Sequence, residues 1–131
     1  MNLKEINSLT ELFFNQAKKE NPNTAFLEWL NPKNKKKYTW GETSESIQKL
    51  AKVLKENIKE GDRCLLVSEN RPEWLIADLA IMLANGITVP AYTTYTEKDY
   101  KYLIEDCEPS VIIVSNDDMY VKLKNIVLDI R

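Results

Sequence analysis

The stretch RCLLVSENRPEWLIADLAIMLANGITVPA, residues 63–91, decides how the fold is interpreted. Its pattern predicts a short strand over Arg63–Ser68, a helix over Pro72–Asn85 and a second short strand over Ile87–Ala91. Both strands are continuous apolar runs rather than alternating ones, which is typical of a parallel sheet covered on both faces. The helix is apolar nearly all round, so it is predicted to be deeply buried.

The same alternation continues toward the C-terminus. Pro72 and Gly86 suit the first turn of the preceding helix and the position just past its end. Thr96 is placed to cap a further helix, Val111–Ser115 is predicted as a third strand, and residues 117–127 as a last helix. Strands that alternate with helices favour a parallel sheet with helical crossovers.

The first part of the chain has a different pattern. Two capping-box sequences, Ser8–Glu11 and Thr39–Glu42, predict the starts of two helices. Between them, Thr24–Leu30 and Lys37–Thr39 are predicted strands, joined by a turn over Asn31–Asn34. This pair predicts an antiparallel hairpin.

Together these elements predict an α/β fold, in which a partial parallel sheet with helical crossovers is accompanied by an N-terminal antiparallel hairpin. Residues 1–60 are expected to form a helix–hairpin–helix entry segment, and residues 61–131 a β-α-β-α-β-α unit. Three short strands offer little cover for a helix that is apolar on most sides. We therefore expect residues 1–131 to be part of a longer polypeptide.

The composition excludes several kinds of site. The chain has no His, so Ser-His-Asp triads and His-ligated metals are excluded. Its 3 Gly lie too far apart for a glycine-rich phosphate loop. Cys64 and Cys107 are expected to be reduced packing residues. The balance of 18 basic and 20 acidic residues predicts no nucleic-acid partner. Because no signal peptide or membrane-spanning run is seen, the cytoplasm is the expected compartment.

Polar residues follow each predicted strand of the parallel sheet, where ligands of such sheets bind. After the first strand, Arg71 either binds an anion or pairs with Glu69 or Glu73. After the second, the hydroxyls of Tyr92–Thr96 either line a pocket or serve capping and packing. After the third, Asp117–Asp118 either bind a divalent cation or cap the last helix. In each case the structural alternative is the commoner one in proteins.

Two further charged features have alternatives of their own. Asp78 is the charged residue inside the apolar helix, and a buried carboxylate is expected to be paired. A basic cluster at the hairpin turn is either a solvated tip or a peripheral contact with anionic membrane. The cluster consists of Lys33, Lys35, Lys36 and Lys37.

Four segments, in this order, resemble the N-terminal region of AMP-forming acyl-CoA synthetases. They are Tyr38–Glu42 (YTWGE), Gly61–Ala80 (GDRCLLVSENRPEWLIADLA), Leu83–Thr94 (LANGITVPAYTT) and Tyr102–Cys107 (YLIEDC). The sequence NRPEW at residues 70–74 is most similar to the long-chain fatty acid branch of that family.

The resemblance implies an incomplete N-terminal domain of the adenylate-forming fold and, for the whole protein, a long-chain fatty acid–CoA ligase. Such ligases use ATP and Mg²⁺ to form an acyl-adenylate from a fatty acid, and CoA then displaces AMP. The family's phosphate loop, ribose-binding acid and catalytic lysine do not occur in residues 1–131. We therefore expect no catalytic residue and no metal ligand here, and no activity of this chain alone. The residues that the resemblance places near the CoA nucleotide are Tyr92, Thr93, Thr94, Tyr120 and Lys122.

Two other function classes remain open from the residues alone. One is a self-contained flavodoxin-like or receiver-like binding module, although none of the three predicted strands ends in the Asp that a receiver requires. The other is a non-catalytic interaction domain that uses exposed apolar helix surface.

Overall fold

The computed structural model describes residues 3–33 and 35–130. A short 3₁₀ turn over Leu3–Glu5 precedes the main elements. In chain order these are α1 (Leu9–Ala17), β1 (Ala25–Glu28), β2 (Lys37–Thr39), α2 (Trp40–Lys55), β3 (Arg63–Val67), α3 (Pro72–Leu83), β4 (Ile87–Ala91), α4 (Glu97–Cys107), β5 (Val111–Val114) and α5 (Asp117–Ile130). The α/β fold class predicted from the sequence is confirmed.

The N-terminal hairpin pairs β1 with β2 in antiparallel register, with Glu28 opposite Lys37 and an irregularity between Ala25 and Leu27. The backbone N–H of Trp29 extends the ladder by donating to the Lys36 carbonyl at 2.8 Å. β1 is shorter than the strand predicted over residues 24–30. The turn predicted over residues 31–34 is described as far as its third residue, and Asn34 lies outside the described residues.

The parallel sheet has the strand order β4-β3-β5, with β3 in the centre. The chain steps from β3 through α3 to β4, and then back past β3 through α4 to β5. Because crossovers of parallel strands are almost always right-handed, two steps in opposite directions put their helices on opposite faces. The sheet is therefore covered on both faces, as its continuous apolar strands predict.

Two cores lie on the two faces of the sheet. On one face, Cys64 packs with buried residues of α1, α2 and α3, including Phe13 and Ile47. On the other face, Leu65 and Val67 pack with buried residues of α4 and α5. Alternate residues of β3 thus serve alternate cores, as the period of a strand requires.

The helix starts show two versions of the same capping chemistry. At α2 and α4, Thr39 and Thr96 form complete capping boxes with Glu42 and Asp99. At α1 the side chain of Ser8 accepts from the Glu11 N–H at 3.1 Å, as predicted. The carboxylate of Glu11, however, accepts from the N–H of Asn7 at 3.0 Å rather than from that of Ser8.

The end of α3 differs from its prediction. The helix ends at Leu83, and Asn85, with φ of 64°, takes the left-handed position that we assigned to Gly86. The N–H of Asn85 donates to Met82 O at 3.0 Å and that of Gly86 to Ile81 O at 2.9 Å, which is a Schellman arrangement. Gly86 is closely packed instead: a Cβ there would lie 2.9 Å from the end of the Ile58 side chain and 3.3 Å from the Ile81 carbonyl oxygen, so these neighbours would have to shift.

The burial of α3 is also less complete than its composition predicts. One side of the helix is buried, including Ile76, Leu79 and Ala80. The other side, with Leu75 and Asp78, is only half-buried. Among the described residues, no helix is long and apolar enough to cross a membrane.

The capping box at α2 generates a stability prediction. Thr39→Ala is expected to lower the free energy of unfolding by about 1 kcal/mol, because the Glu42 N–H loses its acceptor. Urea denaturation followed by circular dichroism measures this change. Gln48→Ala on the exposed side of α2 is the matched control and should change stability by less than about 0.5 kcal/mol. Equal losses in the two variants would contradict the assignment of the cap.

Candidate functional site

The loops that follow β3, β4 and β5 lie together at the carboxyl edge of the sheet. The loop after β3 enters α3 on one face, whereas the loop after β5 enters α5 on the other. The point between β3 and β5 is therefore the topological switch point of the sheet, where ligands of such folds commonly bind. Here the Ser115 hydroxyl donates to the Glu69 carboxylate at 2.8 Å and joins the two loops.

Beside this junction, between the ends of β3 and β4, lies a cavity of about 370 Å³. Its size is in the range of small-molecule sites. The lining is mixed, with hydroxyl and amide groups beside aromatic rings. It consists of Ser68, Asn70, Trp74, Pro90, Ala91, Tyr92 and Tyr95.

Arg71 is held by a polar network rather than left free for an anion. Its Nη1 lies 3.1 Å from Glu69, and its Nε lies 3.0 Å from Glu73. Its guanidinium also stacks over the Trp29 ring at 4.6 Å. The alternative that pairs Arg71 with carboxylates is confirmed, and it pairs with both.

Glu73 extends this network to the hairpin. Lys36 Nζ lies 2.9 Å from its carboxylate, and the Tyr38 hydroxyl donates to it at 3.3 Å. Burial acts to raise the pKa of Glu73, but the hydrogen bonds from Arg71 and Lys36 outweigh burial and lower it from 4.5 to about 2. For Glu69, burial is again outweighed, here by hydrogen bonds that include those from Ser115 and Arg71, and its pKa is lowered.

The loop after β4 gathers most of the predicted site residues. The Tyr92 side chain is 70% exposed, and its ring meets that of Tyr95 edge-on at 5.4 Å. The hydroxyl of Tyr100 donates to the carbonyl of Tyr92. Burial raises the pKa of Tyr100, so this donor keeps its proton. Thr93 and Thr94 form the turn at the tip of the loop.

Lys122 joins this loop from α5. Its Nζ donates to the Tyr95 carbonyl at 3.1 Å and lies 5.2 Å from the centre of the Tyr100 ring. The lysine cation is thereby fixed beside the loop Tyr92–Tyr95. The structure thus brings Lys122 together with the β4–α4 loop, although the two are separated along the chain.

Tyr120 is not brought to the same place. It lines a different groove, of about 240 Å³, with Ile112 and Val114 of β5. Lys124 lies 5.7 Å from its ring on that flank. Lys122 and Lys124, which are two positions apart, therefore lie on different flanks of α5.

Asp117 and Asp118 lie in the first turn of α5 but do not supply its side-chain cap, which was one of their two predicted roles. Both residues are exposed, and the Asn116 side chain caps α5 by accepting from the Met119 N–H at 2.9 Å. Within residues 3–33 and 35–130 there is no group of three or more acidic or thiol side chains that could hold a metal. Both cysteines are free thiols, and burial raises the pKa of each.

The lysine cluster of the hairpin is not a single free cationic patch. Lys36 pairs with Glu73, and Lys37 lies 3.5 Å from Glu28. Lys33 and Lys35 are exposed near the turn. Pairing of two lysines within the fold weakens the attraction to anionic membrane on which the peripheral contact depended.

Sequence reasoning missed two parts of this edge. Tyr95 contributes a backbone carbonyl to Lys122, which no side-chain pattern signals. The link from Trp29 and Lys36 to α3 joins residues more than thirty positions apart. Only the order of aromatic and basic residues in the hairpin could have suggested it.

Comparison with protein families and known proteins gives a consistent result. A family profile described as "AMP-binding enzyme" matches residues 13–129. Acyl-coenzyme A synthetase ACSM5, mitochondrial, from Rattus norvegicus is 33% identical over 98 residues, which are 72% of this chain and 17% of that protein. Long-chain-fatty-acid--CoA ligase FadD15 from Mycobacterium tuberculosis is 33% identical over 60 residues, which are 46% of this chain and 10% of that protein.

Solved structures show the same fold. A fatty acid AMP ligase from Legionella pneumophila superposes with a TM-score of 0.76 at 22% identity, over 89% of this chain and 21% of that one. ATP-bound MatB from Rhodopseudomonas palustris gives a TM-score of 0.72 at 24% identity, over 89% of this chain and 23% of that one. The chain therefore matches only 10% to 23% of the length of these four proteins.

The Glu73 network generates a prediction about pH. Because the folded-state pKa of Glu73 lies below its ordinary value, its contribution is fully present above about pH 5 and is lost as pH falls from 4.5 toward 2. Glu73→Gln should therefore be clearly less stable than the wild type at pH 6, and the difference should shrink toward pH 2.5. Urea midpoints at several pH values measure it.

Glu45→Gln, which removes an exposed pair with Lys49, is the matched control. Its difference from the wild type should be small at every pH. A Glu73→Gln difference that stays constant from pH 6 to pH 2.5 would show that the carboxylate charge is not what stabilises the network.

Proposed function

The chain belongs to the family of AMP-binding enzymes, and on this premise we propose that it is the scaffold portion of an ATP-dependent long-chain fatty acid–CoA ligase. The observation that carries the proposal is the family match over residues 13–129, which covers nearly the whole chain. The names of its relatives, acyl-coenzyme A synthetases and fatty-acid–CoA ligases, supply the reaction class.

The proposed reaction of the whole protein has two halves. A fatty acid carboxylate attacks the α-phosphate of ATP, with Mg²⁺, so that pyrophosphate leaves and an acyl-adenylate forms. The CoA thiol then attacks the acyl carbon, and AMP leaves as the thioester forms. The described residues hold no glycine-rich loop and no metal-ligand group, so ATP and Mg²⁺ would be held by other parts of the whole protein.

The long-chain preference rests on narrower support. The segment NRPEW at residues 70–74 resembles the long-chain branch, and FadD15 is named as a long-chain ligase. The ACSM5 similarity extends over more of the chain, 98 residues against 60 for FadD15.

We propose that the β4–α4 loop and Lys122 contact the nucleotide end of CoA. A cation fixed beside exposed hydroxyls is suited to bind a phosphate. The ammonium group of Lys122 donates one hydrogen bond to the Tyr95 carbonyl and has further N–H groups that can donate to a ligand. The neighbouring cavity of about 370 Å³, lined in part by Tyr92 and Tyr95, offers aromatic surface for a base. Tyr120 lies in another groove and is left out of the proposed site.

The competing functions find less support. A stand-alone flavodoxin-like or receiver-like module does not explain the family match, whereas a scaffold role does. We propose the cytoplasm as the cellular compartment of the protein. The hairpin lysines are not proposed as a membrane contact because two of the four are paired within the fold.

Activity of the chain provides the first test. The protein translated from the whole reading frame should catalyse exchange of pyrophosphate into ATP when a long-chain fatty acid is present. The purified 131-residue chain should show none, because it contains none of the family's phosphate-loop residues. Radiolabelled pyrophosphate exchange measures both. Exchange by the 131-residue chain alone would refute its assignment as scaffold, and a whole protein inert with all fatty acids would refute the ligase.

The CoA site has a separate test in the whole protein. Lys122→Gln should raise the KM for CoA by about tenfold through loss of a charge-assisted contact, while pyrophosphate exchange stays unchanged. Lys124→Gln, on the other flank of α5, is the matched control and should leave both measurements unchanged. An unchanged KM for CoA in Lys122→Gln would remove Lys122 from the site.

A further inference from the structure

A single buried side chain, that of Tyr100, contacts both the β4–α4 loop and Lys122. Tyr100 lies in the first turn of α4, and its side chain is 0% exposed. Its hydroxyl donates to the Tyr92 carbonyl, and its ring centre lies 5.8 Å from that of Tyr95. The Nζ atom of Lys122 lies 5.2 Å from the same ring centre. The loop and the lysine are therefore both held from one point in the core.

The start of α4 fixes the position of Tyr100. The Thr96 hydroxyl accepts from the Asp99 N–H at 3.2 Å, and the Asp99 carboxylate accepts from the Thr96 N–H at 3.0 Å. The N–H of Tyr100 itself donates to the Thr96 carbonyl at 3.1 Å. Its ring belongs to the core that covers Leu65 of β3. Because the capping box and the core both restrain Tyr100, it is a rigid support for the loop.

The core alone does not require a tyrosine at position 100. A phenylalanine ring would fill the same volume, so packing does not explain the hydroxyl. A buried tyrosine hydroxyl usually has a hydrogen-bond partner, and this one reaches back along the chain to a main-chain carbonyl at the start of the loop. The hydroxyl of Tyr100 thus serves the loop, whereas its ring serves the core.

The loop in turn fixes the cation of Lys122. The Nζ atom donates to the Tyr95 carbonyl at 3.1 Å, and this carbonyl lies on the loop that the Tyr100 hydroxyl holds. A lysine has a flexible four-carbon stem, so its ammonium group keeps one position only where a neighbour anchors it. A shift of the loop would move the Tyr95 carbonyl and with it the anchor of the lysine.

We propose that Tyr100 is a positioning residue of the CoA site, whose hydroxyl holds the β4–α4 loop so that the Tyr95 carbonyl keeps the Lys122 cation directed at a phosphate of CoA. This inference rests on the proposed function, because it takes the loop and Lys122 as the contact with the nucleotide end of CoA. Tyr100 is fully buried and acts only through these groups. Holding the cation before the ligand arrives reduces the conformational entropy lost on binding, so the effect falls on the affinity for CoA.

Tyr100→Phe in the protein from the whole reading frame tests the proposal. The substitution keeps the ring beside Lys122 but removes the donor to the Tyr92 carbonyl. It should raise the KM for CoA by about threefold, the effect of one lost neutral hydrogen bond, and leave pyrophosphate exchange unchanged. Tyr102→Phe, the same chemical change at an exposed position of α4, is the matched control and should alter neither measurement.

A double variant shows whether Tyr100 acts through Lys122. Lys122→Gln alone is expected to raise the KM for CoA by about tenfold, and Tyr100→Phe combined with it should give the same increase of about tenfold rather than about thirtyfold. The two effects should not multiply, because a correctly held loop has no cation left to direct.

The other outcomes each overturn the proposal. An unchanged KM for CoA in Tyr100→Phe, when Lys122→Gln raises it, would remove Tyr100 from the site and leave the proposed CoA site intact. An increase of about thirtyfold in the double variant would show that Tyr100 acts independently of Lys122. An altered circular dichroism spectrum of Tyr100→Phe, or a fall in pyrophosphate exchange that matches its loss of CoA turnover, would show that Tyr100 only supports the fold. An unchanged KM in Lys122→Gln would refute the CoA site itself and this inference with it.

Discussion

Burial of strand β3 on both faces is the constraint on which the rest of the structure depends. The four residues Cys64–Val67 are at most 1% exposed, so helices must cover both sides of the sheet. Each such apolar side chain contributes about 2 kcal/mol when it leaves water, which makes both coverings necessary rather than incidental. The reversal of direction after β4 follows, because only a reversed step places α4 on the face that α3 leaves open. The same reversal sends the loops after β3 and β5 to opposite faces and so creates the switch point at the carboxyl edge.

A polar network then ties the N-terminal hairpin to that edge. Arg71 is its centre, with carboxylates on both sides and the Trp29 ring above it. Glu73 connects the network to Lys36 in the hairpin, and Glu69 connects it to Ser115 after β5. The loop of the proposed CoA site is fixed in a different way, by the hydroxyl of Tyr100 and the cation of Lys122. Two separate sets of polar contacts, one around Arg71 and one around Lys122, therefore stabilise the loops at the carboxyl edge of the sheet.

The secondary structure was largely predictable because its signals are local. Thr39 and Thr96 cap helices as their sequences predict, and the apolar runs around β3, β4 and β5 became strands. The prediction of helix ends failed where two neighbouring residues could each adopt the left-handed conformation or supply the side-chain cap. Asn85 rather than Gly86 adopts the left-handed conformation after α3, and Asn116 rather than the neighbouring aspartates caps α5. The local sequence allows either choice, and tertiary packing selects between them.

The candidate sites show the same division between local and long-range information. The sequence alone placed a hydroxyl-rich segment, Tyr92–Thr96, after the second predicted strand of the sheet. It did not show that Lys122 reaches the carbonyl of Tyr95 while Tyr120 turns to the groove beside β5, because that depends on the rotation of α5 against the sheet. Likewise, the sequence marked Asp78 as a carboxylate that needs a partner, but only the packing of α1 against α3 placed it in a groove between the two helices. The sequence by itself determined the elements, their order and the family, since these follow from periodicity, capping and local motifs. The tertiary structure alone decided which distant side chains meet, because those contacts arise only when both faces of β3 are covered.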